Sequence, residues 1–360
     1  MKRDRIRIAV TGTGFGTRIQ VPGFRLSGRF DVVALVGRDR ERTARIAAEH
    51  GIPHAFASLG DALVAVDVDA VSVAAPPAAH AEHVLAALAG RKHVMCEKPM
   101  ARSLAEAEAM EAAARAAGVV ALIDHELRFH PSRAGLARLI ASGDIGAPHL
   151  LVAFDDLPLY VTPYRSAPAW WFDADAGGGW LGASGSHLID AVRVWLGDVR
   201  RVVGVVERLA APGTADDTFS LIADTRSGAR AVLHQSAAMI GPRSGSLRIA
   251  GSEGTAWLDE DWRLWMVRRR TDADDGSAGA PGDPALVPPD ADLALPEVDI
   301  PRGSGPFAAR ELPCFVRQAL AFADAIEGRP ASGPAAATFA DGVAVQRVMD
   351  AARTGRWMAV

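Results

Sequence analysis

Residues 6–17 read Ile-Arg-Ile-Ala-Val-Thr-Gly-Thr-Gly-Phe-Gly-Thr. A short β-prone, mostly apolar run enters a turn with glycine at 12, 14 and 16, and the pattern beyond is helical until Pro22-Gly23 interrupts it. Strand, glycine turn and helix start, in that order, let a backbone approach a pyrophosphate, which then rests against the partial positive charge of the helix N-terminus. Gly12, Gly14, Phe15, Gly16 and Thr17 form the expected cradle. Thr17 stands where the G-x-G-x-x-G string has its third glycine, and it is larger than glycine at the close helix-to-strand contact. A purely structural turn is the competing reading; the flanking strand and helix favour a dinucleotide.

The alternation continues outward from this turn. Residues 30–36 read as a second strand, 40–50 as an alanine-rich helix ended by Gly51, 61–66 as a helix, 70–75 as a buried strand, and 80–89 as a helix closed by Gly90. Continuous apolar strands alternating with helices imply a parallel sheet covered on both faces. The second strand runs into Gly37-Arg38-Asp39-Arg40, so no acid for a ribose sits at the strand end itself. Arg38 could pair with a 2′-phosphate or be a solvated loop arginine, and Asp39 could still reach the ribose. The reading leans towards NADP and keeps NAD open.

Residues 93–99, His-Val-Met-Cys-Glu-Lys-Pro, end an apolar strand on a lysine. A lysine that loses solvation beside another cation becomes a usable proton acceptor, and proline fixes the chain that presents it. The alternative is a lysine that pairs with Glu97 or a cofactor oxygen.

In order along the chain, the glycine turn, residues 69–77 (Asp-Ala-Val-Ser-Val-Ala-Ala-Pro-Pro) with His80, Glu97-Lys98-Pro99, Arg128-Phe129-His130-Pro131, Gly177-Gly178-Gly179-Trp180-Leu181 leading to His187 and Asp190, and Gly251-Ser252-Glu253-Gly254-Thr255 resemble the Gfo/Idh/MocA oxidoreductases. The resemblance implies an α/β protein: an N-terminal Rossmann domain with a parallel sheet over residues 1–124, and a C-terminal α/β domain with a large, mostly antiparallel open sheet over 125–360. It implies NAD or NADP held by the glycine turn, Arg38, Ala75, Pro76, His80, Glu97 and Lys98. Lys98 and His187 are then the catalytic residues, with a cis Lys98-Pro99 peptide at the junction between the domains.

Asp190, three positions beyond His187 on one helix face, could orient the imidazole or bind hydroxyls. The family's dehydrogenase pattern carries an aspartate four residues before the histidine, whereas this chain has Ala183. Asp190, Ser184 or Glu126 could replace that acid, or the reaction departs from simple polyol oxidation. Glu126 reads equally as a proton-transfer group and as a salt-bridge partner of Arg128. Arg128, Tyr164, Arg165, Trp171 and Asp190 are the candidate substrate-binding residues, since aromatics stack on sugar faces and arginines bind hydroxyls or carboxylates. Trp257, Trp262 and Trp265 are expected on strands, in sheet or subunit packing.

The second half agrees on its own pattern. A helix over 132–141 precedes apolar or alternating runs at 149–155, 201–209, 218–224, 229–236 and 247–250, with a hairpin turn at Arg226-Ser227-Gly228 and the sheet ending near Val267. Residues 271–306 read as a long loop, and helices over 308–327 and 335–354 close the chain, the last of them expected to pack back on the N-terminal domain.

At 360 residues and 49% hydrophobic, the chain can bury the cores of two domains. A net charge of -4 gives no support for a nucleic-acid partner. Two cysteines, Cys96 and Cys314, indicate neither a disulfide framework nor a cysteine metal site. No apolar run reaches the roughly 18 residues of a membrane span and no secretory leader is read at the N-terminus, so a cytoplasmic protein is expected. The resemblance implies a homodimer or homotetramer. Three readings follow: an NAD(P)-dependent dehydrogenase or reductase of a sugar, polyol or related cyclic alcohol; a redox-neutral enzyme that cleaves glycosides by oxidation, elimination and reduction; and a non-catalytic dinucleotide-binding regulator.

Overall fold

The computed structural model describes residues 4–161, 168–270, 279–305, 307–331 and 333–360. It divides into two units, residues 1–130 with 295–346, and residues 131–294 with 347–360.

The first unit contains strands β1 (Ile6–Thr11), β2 (Phe30–Val36), β3 (His54–Phe56), β4 (Ala70–Val73), β5 (His93–Cys96) and β6 (Ala121–Ile123). They pair in parallel in the order β6-β5-β4-β1-β2-β3, and the short strand Ala337–Thr338 adds antiparallel at the β6 edge. This is the Rossmann order, in which the strand sequence reverses direction at β1 and β4. The strands are nearly all buried because helices cover them.

Two departures from the sequence expectations lie here. Pro22-Gly23 does not interrupt the first helix: a five-residue π turn, Gly16–Gln20, runs directly into the α-helix Val21–Leu26. Pro22 occupies the second α-helical position, where a missing N–H is tolerated, and Gly23 is needed because its Cβ would lie 2.4 Å from Phe315 Cδ1. The helix Leu104–Ala117 went unread, although Ser103 caps it by accepting from Glu106 N and Gly118 closes it at φ +63.

The long helix Ala308–Ile326 supplies a large part of this unit's core. Phe315 meets Phe24 edge-on at 5.1 Å, Phe322 stacks on Phe30 at 5.9 Å, and Phe24 and Phe30 are 4.8 Å apart. Gln318 Nε2 donates to the Ile123 carbonyl at 2.9 Å, and Arg29 pairs with Asp324 and Glu327 at 3.0 and 2.6 Å.

The second unit carries β7 (Pro148–Asp156), β8 (Val199–Glu207), β9 (Thr218–Thr225), β10 (Arg230–Ser236), β11 (Ser244–Gly251), β12 (Gly254–Leu258), β13 (Leu264–Arg268) and β14 (Ala285–Val287). Their order is β14-β13-β12-β11-β7-β10-β9-β8, extended by Met358–Ala359 beside β8, and only β7 and β10 pair in parallel. The sheet therefore does not end near Val267, and residues 271–306 are not all loop. β14 pairs antiparallel with β13, from Leu264–Val287 to Met266–Ala285. Three residues are too few to carry an alternating pattern, which hid this edge strand. Trp257 and Trp265 stack on neighbouring strands at 6.4 Å, whereas Trp262 lies off the strands in the connecting turn.

Among the described residues, no helix is long and apolar enough to cross a membrane. Phe315→Ala should lower unfolding stability by about 3–5 kcal/mol in urea titration, because it empties the aromatic cluster under the first helix.

Candidate active site

The glycine turn is built by steric exclusion. Gly12 has φ +103, and a Cβ there would sit 2.2 Å from the Ala74 carbonyl oxygen, so the end of β1 lies directly on the turn after β4. At Gly14 the surroundings are open, with nothing within 4 Å of a Cβ. A Cβ at Gly16 would be 3.0 Å from Val10 Cγ1 and 3.3 Å from Ala74 Cβ. The close helix-to-strand contact expected at Thr17 is thus made at Gly16, because the wider π turn shifts the helix phase. Thr17 is buried, and its hydroxyl lies 3.2 Å from the carbonyl oxygens of both Thr13 and Gly14. An open glycine face before a helix, at the carboxyl ends of β1 and β4 where strand order reverses, fits a dinucleotide pyrophosphate.

At the end of β2, a Cβ on Gly37 would lie 2.6 Å from Thr43 Oγ1 and 2.8 Å from Thr13 Cγ2. An acid does not fit there. Asp39 is engaged as the N-cap of the helix Arg40–Glu49, accepting from Arg42 N at 3.0 Å, and Arg38 is exposed.

His80 ties two turns together. The fully buried imidazole places Nε2 2.8 Å from the Ala75 carbonyl oxygen and Nδ1 3.1 Å and 3.3 Å from those of Pro99 and Met100. Burial lowers its pKa, partly opposed by these carbonyls. The Ala75-Pro76 turn and the Lys98-Pro99 turn, whose peptide is cis, are held together by this one ring.

Lys98, just past β5, is half-buried rather than sealed in the core. Three carboxyl groups act on it electrostatically: Glu97, Glu126 and Glu311, the last from the helix Ala308–Ile326. Glu126 is 2% exposed, and burial pushes its carboxyl up to about 8 against the opposing pull of Lys98, with Glu311 and Glu97 adding to the rise. Arg128 reaches the Ala335 carbonyl oxygen at 3.2 Å and Asp341 at 3.5 Å, a tie within the first unit. Glu311, 185 positions downstream of Glu126, escaped the sequence reading, since only the fold brings it to Lys98.

In the second unit, Gly178 and Gly179 hold the loop before the His187 helix. A Cβ on Gly178 would meet the Trp170 and Trp171 carbonyl oxygens at 2.3 and 2.5 Å, and Gly179 N donates to Trp171 O at 3.2 Å. Ala183 lies in the π turn Leu181–Gly185, which continues as the α-helix Ser186–Leu196. His187 and Asp190 are both buried on that helix. The His187 carbonyl oxygen accepts from Arg133 Nη2 at 3.2 Å, and the Arg133 guanidinium lies 5.3 Å from the centre of the Trp195 ring. Trp171 packs 6.2 Å from Tyr160 and 6.1 Å from Trp170. Tyr164 and Arg165 lie outside the described residues. Among the described residues, no group of three or more His, Cys, Asp or Glu side chains could hold a metal ion.

Two family models match the chain: "Oxidoreductase family, NAD-binding Rossmann fold" over residues 6–125 and "GFO/IDH/MocA C-terminal domain" over 134–257. A D-apiose dehydrogenase of Paraburkholderia graminis is 29% identical over 279 residues, covering 74% of this chain and 70% of that protein. A D-xylose 1-dehydrogenase (NADP+) of Haloferax volcanii is 33% identical over 219 residues, covering 60% and 62%. The crystal structure of an oxidoreductase domain protein from Kribbella flavida superposes with a TM-score of 0.82 at 28% identity, covering 99% of this chain and all of that one.

The two glycines should separate under mutation. Gly12→Ala should cost about 2 kcal/mol or more of unfolding stability through its clash and positive φ. Gly14→Ala should unfold within about 0.5 kcal/mol of the parent while binding dinucleotide measurably more weakly in a fluorescence titration.

Proposed function

The chain belongs to the GFO/IDH/MocA oxidoreductase family, and from that premise we propose that it transfers hydride between a nicotinamide, preferably that of NADP, and a secondary alcohol or ketone of a sugar, polyol or related cyclic alcohol. The observation that carries the reading is Lys98 just past the carboxyl end of β5 with Glu126 just past that of β6, two strands of the sheet whose β1 leads into the glycine turn. The bound dinucleotide supplies the hydride acceptor or donor. The chain supplies proton transfer and positioning. Lys98 takes the proton from the substrate oxygen, and Glu126, whose carboxyl is pushed up to about 8, is the adjacent group able to accept or return it. His187 and Asp190 are assigned to the substrate hydroxyls, and Trp171, with Tyr164 and Arg165, to the sugar face. The sugar dehydrogenase relatives support the substrate class.

The NADP preference rests on Gly37, where an acid is excluded, on Asp39, committed to its helix cap, and on the exposed Arg38 beside them. A homodimer or homotetramer through the open sheet is supported by Val152, Phe154, Val205 and Ile222, exposed apolar residues on β7, β8 and β9. Ala183, which leaves the His187 turn without an acid at the usual position, favours the redox-neutral glycoside-cleaving alternative as the second reading.

A panel of sugars, polyols and glycosides assayed with NAD+ and NADP+, following absorbance of the reduced nicotinamide, tests this. Turnover on at least one polyol or sugar is expected, with Lys98→Ala slower by about 100-fold or more and with little loss of cofactor affinity. Full activity in that variant would sink the assignment, and product release without net reduced nicotinamide would select the second reading. Arg38→Ala should weaken NADP+ by about tenfold and leave NAD+ unaffected. Alcohol oxidation should rise as pH passes through about 8, where Glu126 loses its proton, and Glu126→Gln should remove that limb.

A further inference from the structure

Beneath the Lys98 turn lies a second pair of acids. Asp124, at the end of β6, is 0% exposed, and Glu97 is 7% exposed. Both are served by one amide: Gln20 Nε2 donates to Glu97 Oε1 at 2.8 Å and to Asp124 Oδ2 at 3.2 Å. The orientation of that amide is fixed, because the buried Ser72 hydroxyl donates to Gln20 Oε1 at 2.7 Å. Glu97 Oε2 accepts from the Lys98 backbone N–H at 3.3 Å. Asp124 Oδ1 is the remaining oxygen of the set, buried and without a donor. The Asp124 and Glu97 carboxyls are themselves in hydrogen-bonding contact. Two buried carboxylates cannot both stay ionised side by side, and an oxygen with no donor is satisfied if it carries the proton itself.

We propose that Asp124 is a positioning residue that stays protonated and donates its carboxyl proton to Glu97, so that Glu97 remains the ionised, fixed partner of the Lys98 turn. Its importance for turnover rests on the proton-acceptor role given to Lys98; its protonation does not. The groups that act most strongly on Asp124 are acidic or neutral: Glu97 and Glu126 by charge and the Gln20 amide by its hydrogen bond, with the buried Cys96 thiol also within reach of its charge. Burial first and the Glu97 charge next hold the Asp124 carboxyl well above the usual carboxylate range. Glu97 is also raised by burial, but Asp124, Lys98 and Gln20 pull it back.

Asparagine is the neutral isostere of a protonated aspartate, and this makes the proposal testable by unfolding at several pH values. A raised carboxyl contributes stability that is fully present below its unfolded-state pKa near 3.9 and is lost as pH climbs towards the folded value. The neutral variant does not suffer that loss. Asp124→Asn should therefore match the parent near pH 4 and exceed its melting temperature by a margin that widens to about 3 °C at pH 8. Asp124→Ala, which leaves Glu97 without its donor, should lower kcat/KM by about tenfold, with Asp124→Asn restoring most of it. An Asp124→Asn protein that fails to fold, or that is less stable than the parent at pH 8, overturns the proposal, since an ionised aspartate would be the stabilising form. Absence of turnover on any substrate would defeat the dehydrogenase reading and leave the melting comparison as the deciding result.

Discussion

The contact between Gly12 and the Ala74 carbonyl oxygen is the constraint from which the nucleotide-binding unit is built. A backbone-to-backbone approach this close brings the end of β1 against the turn after β4, where the strand order reverses and a crevice opens. Two residues on, Gly14 has nothing within 4 Å of a Cβ, so the turn is closed against the protein at one glycine and open at the next. His80 then fastens the Ala75-Pro76 segment to the Lys98-Pro99 segment, so the glycine turn and the lysine turn are placed by two adjoining contacts. No long chain of couplings is needed to position them.

Much of this was legible in the sequence because it depends on local pattern. The apolar run of β1, the glycine spacing, His80 at the start of a helix and the Glu97-Lys98-Pro99 string each announce themselves within a few residues. What stayed hidden depends on phase or on distant partners. The shift of the close contact from Thr17 to Gly16 requires knowing that the helix begins with a π turn, and sequence periodicity does not separate that from an α turn. Gly37 looks like an ordinary loop glycine until Thr43 and Thr13 are seen to fill the space beside it. Asp124 gives no signal in the sequence, since its partner Gln20 is 104 positions away. The carboxyl groups around Lys98 were equally hidden: β5 ends before it, leaving it half-buried, and elements distant in sequence bring Glu126 and Glu311 to it beside Glu97.

Acids therefore dominate the lysine's surroundings, and each is held differently. Glu97 is fixed from beneath by an amide and a neighbouring carboxyl, Glu126 sits sealed with a carboxyl pushed to about 8, and Glu311 arrives from the helix Ala308–Ile326 with Arg310 and Arg18 near it. Environments that push similar groups to different titration ranges divide acid and base roles among identical chemistries. The second unit contributes a different kind of order. Its glycine triplet is a packing device that seats an aromatic loop beside the helix bearing His187 and Asp190, and the side chain of Ala183 adds no charge to that turn.

The helix Ala308–Ile326 carries a consequence for synthesis of the chain. Phe24 and Phe30 belong to the first tenth of the protein, yet the rings that cover them, Phe315 and Phe322, are made among its last fifty residues. A nascent chain that has already produced every strand of the parallel sheet except Ala337–Thr338 still presents an uncovered apolar face. The nucleotide-binding unit cannot mature in order of translation: it waits, open on one side, while 164 residues of the other unit emerge between its two parts. A ribosome stalled anywhere in that interval holds a sticky half-sheet, and the chain's exposure to aggregation is set by how quickly the helix Ala308–Ile326 follows.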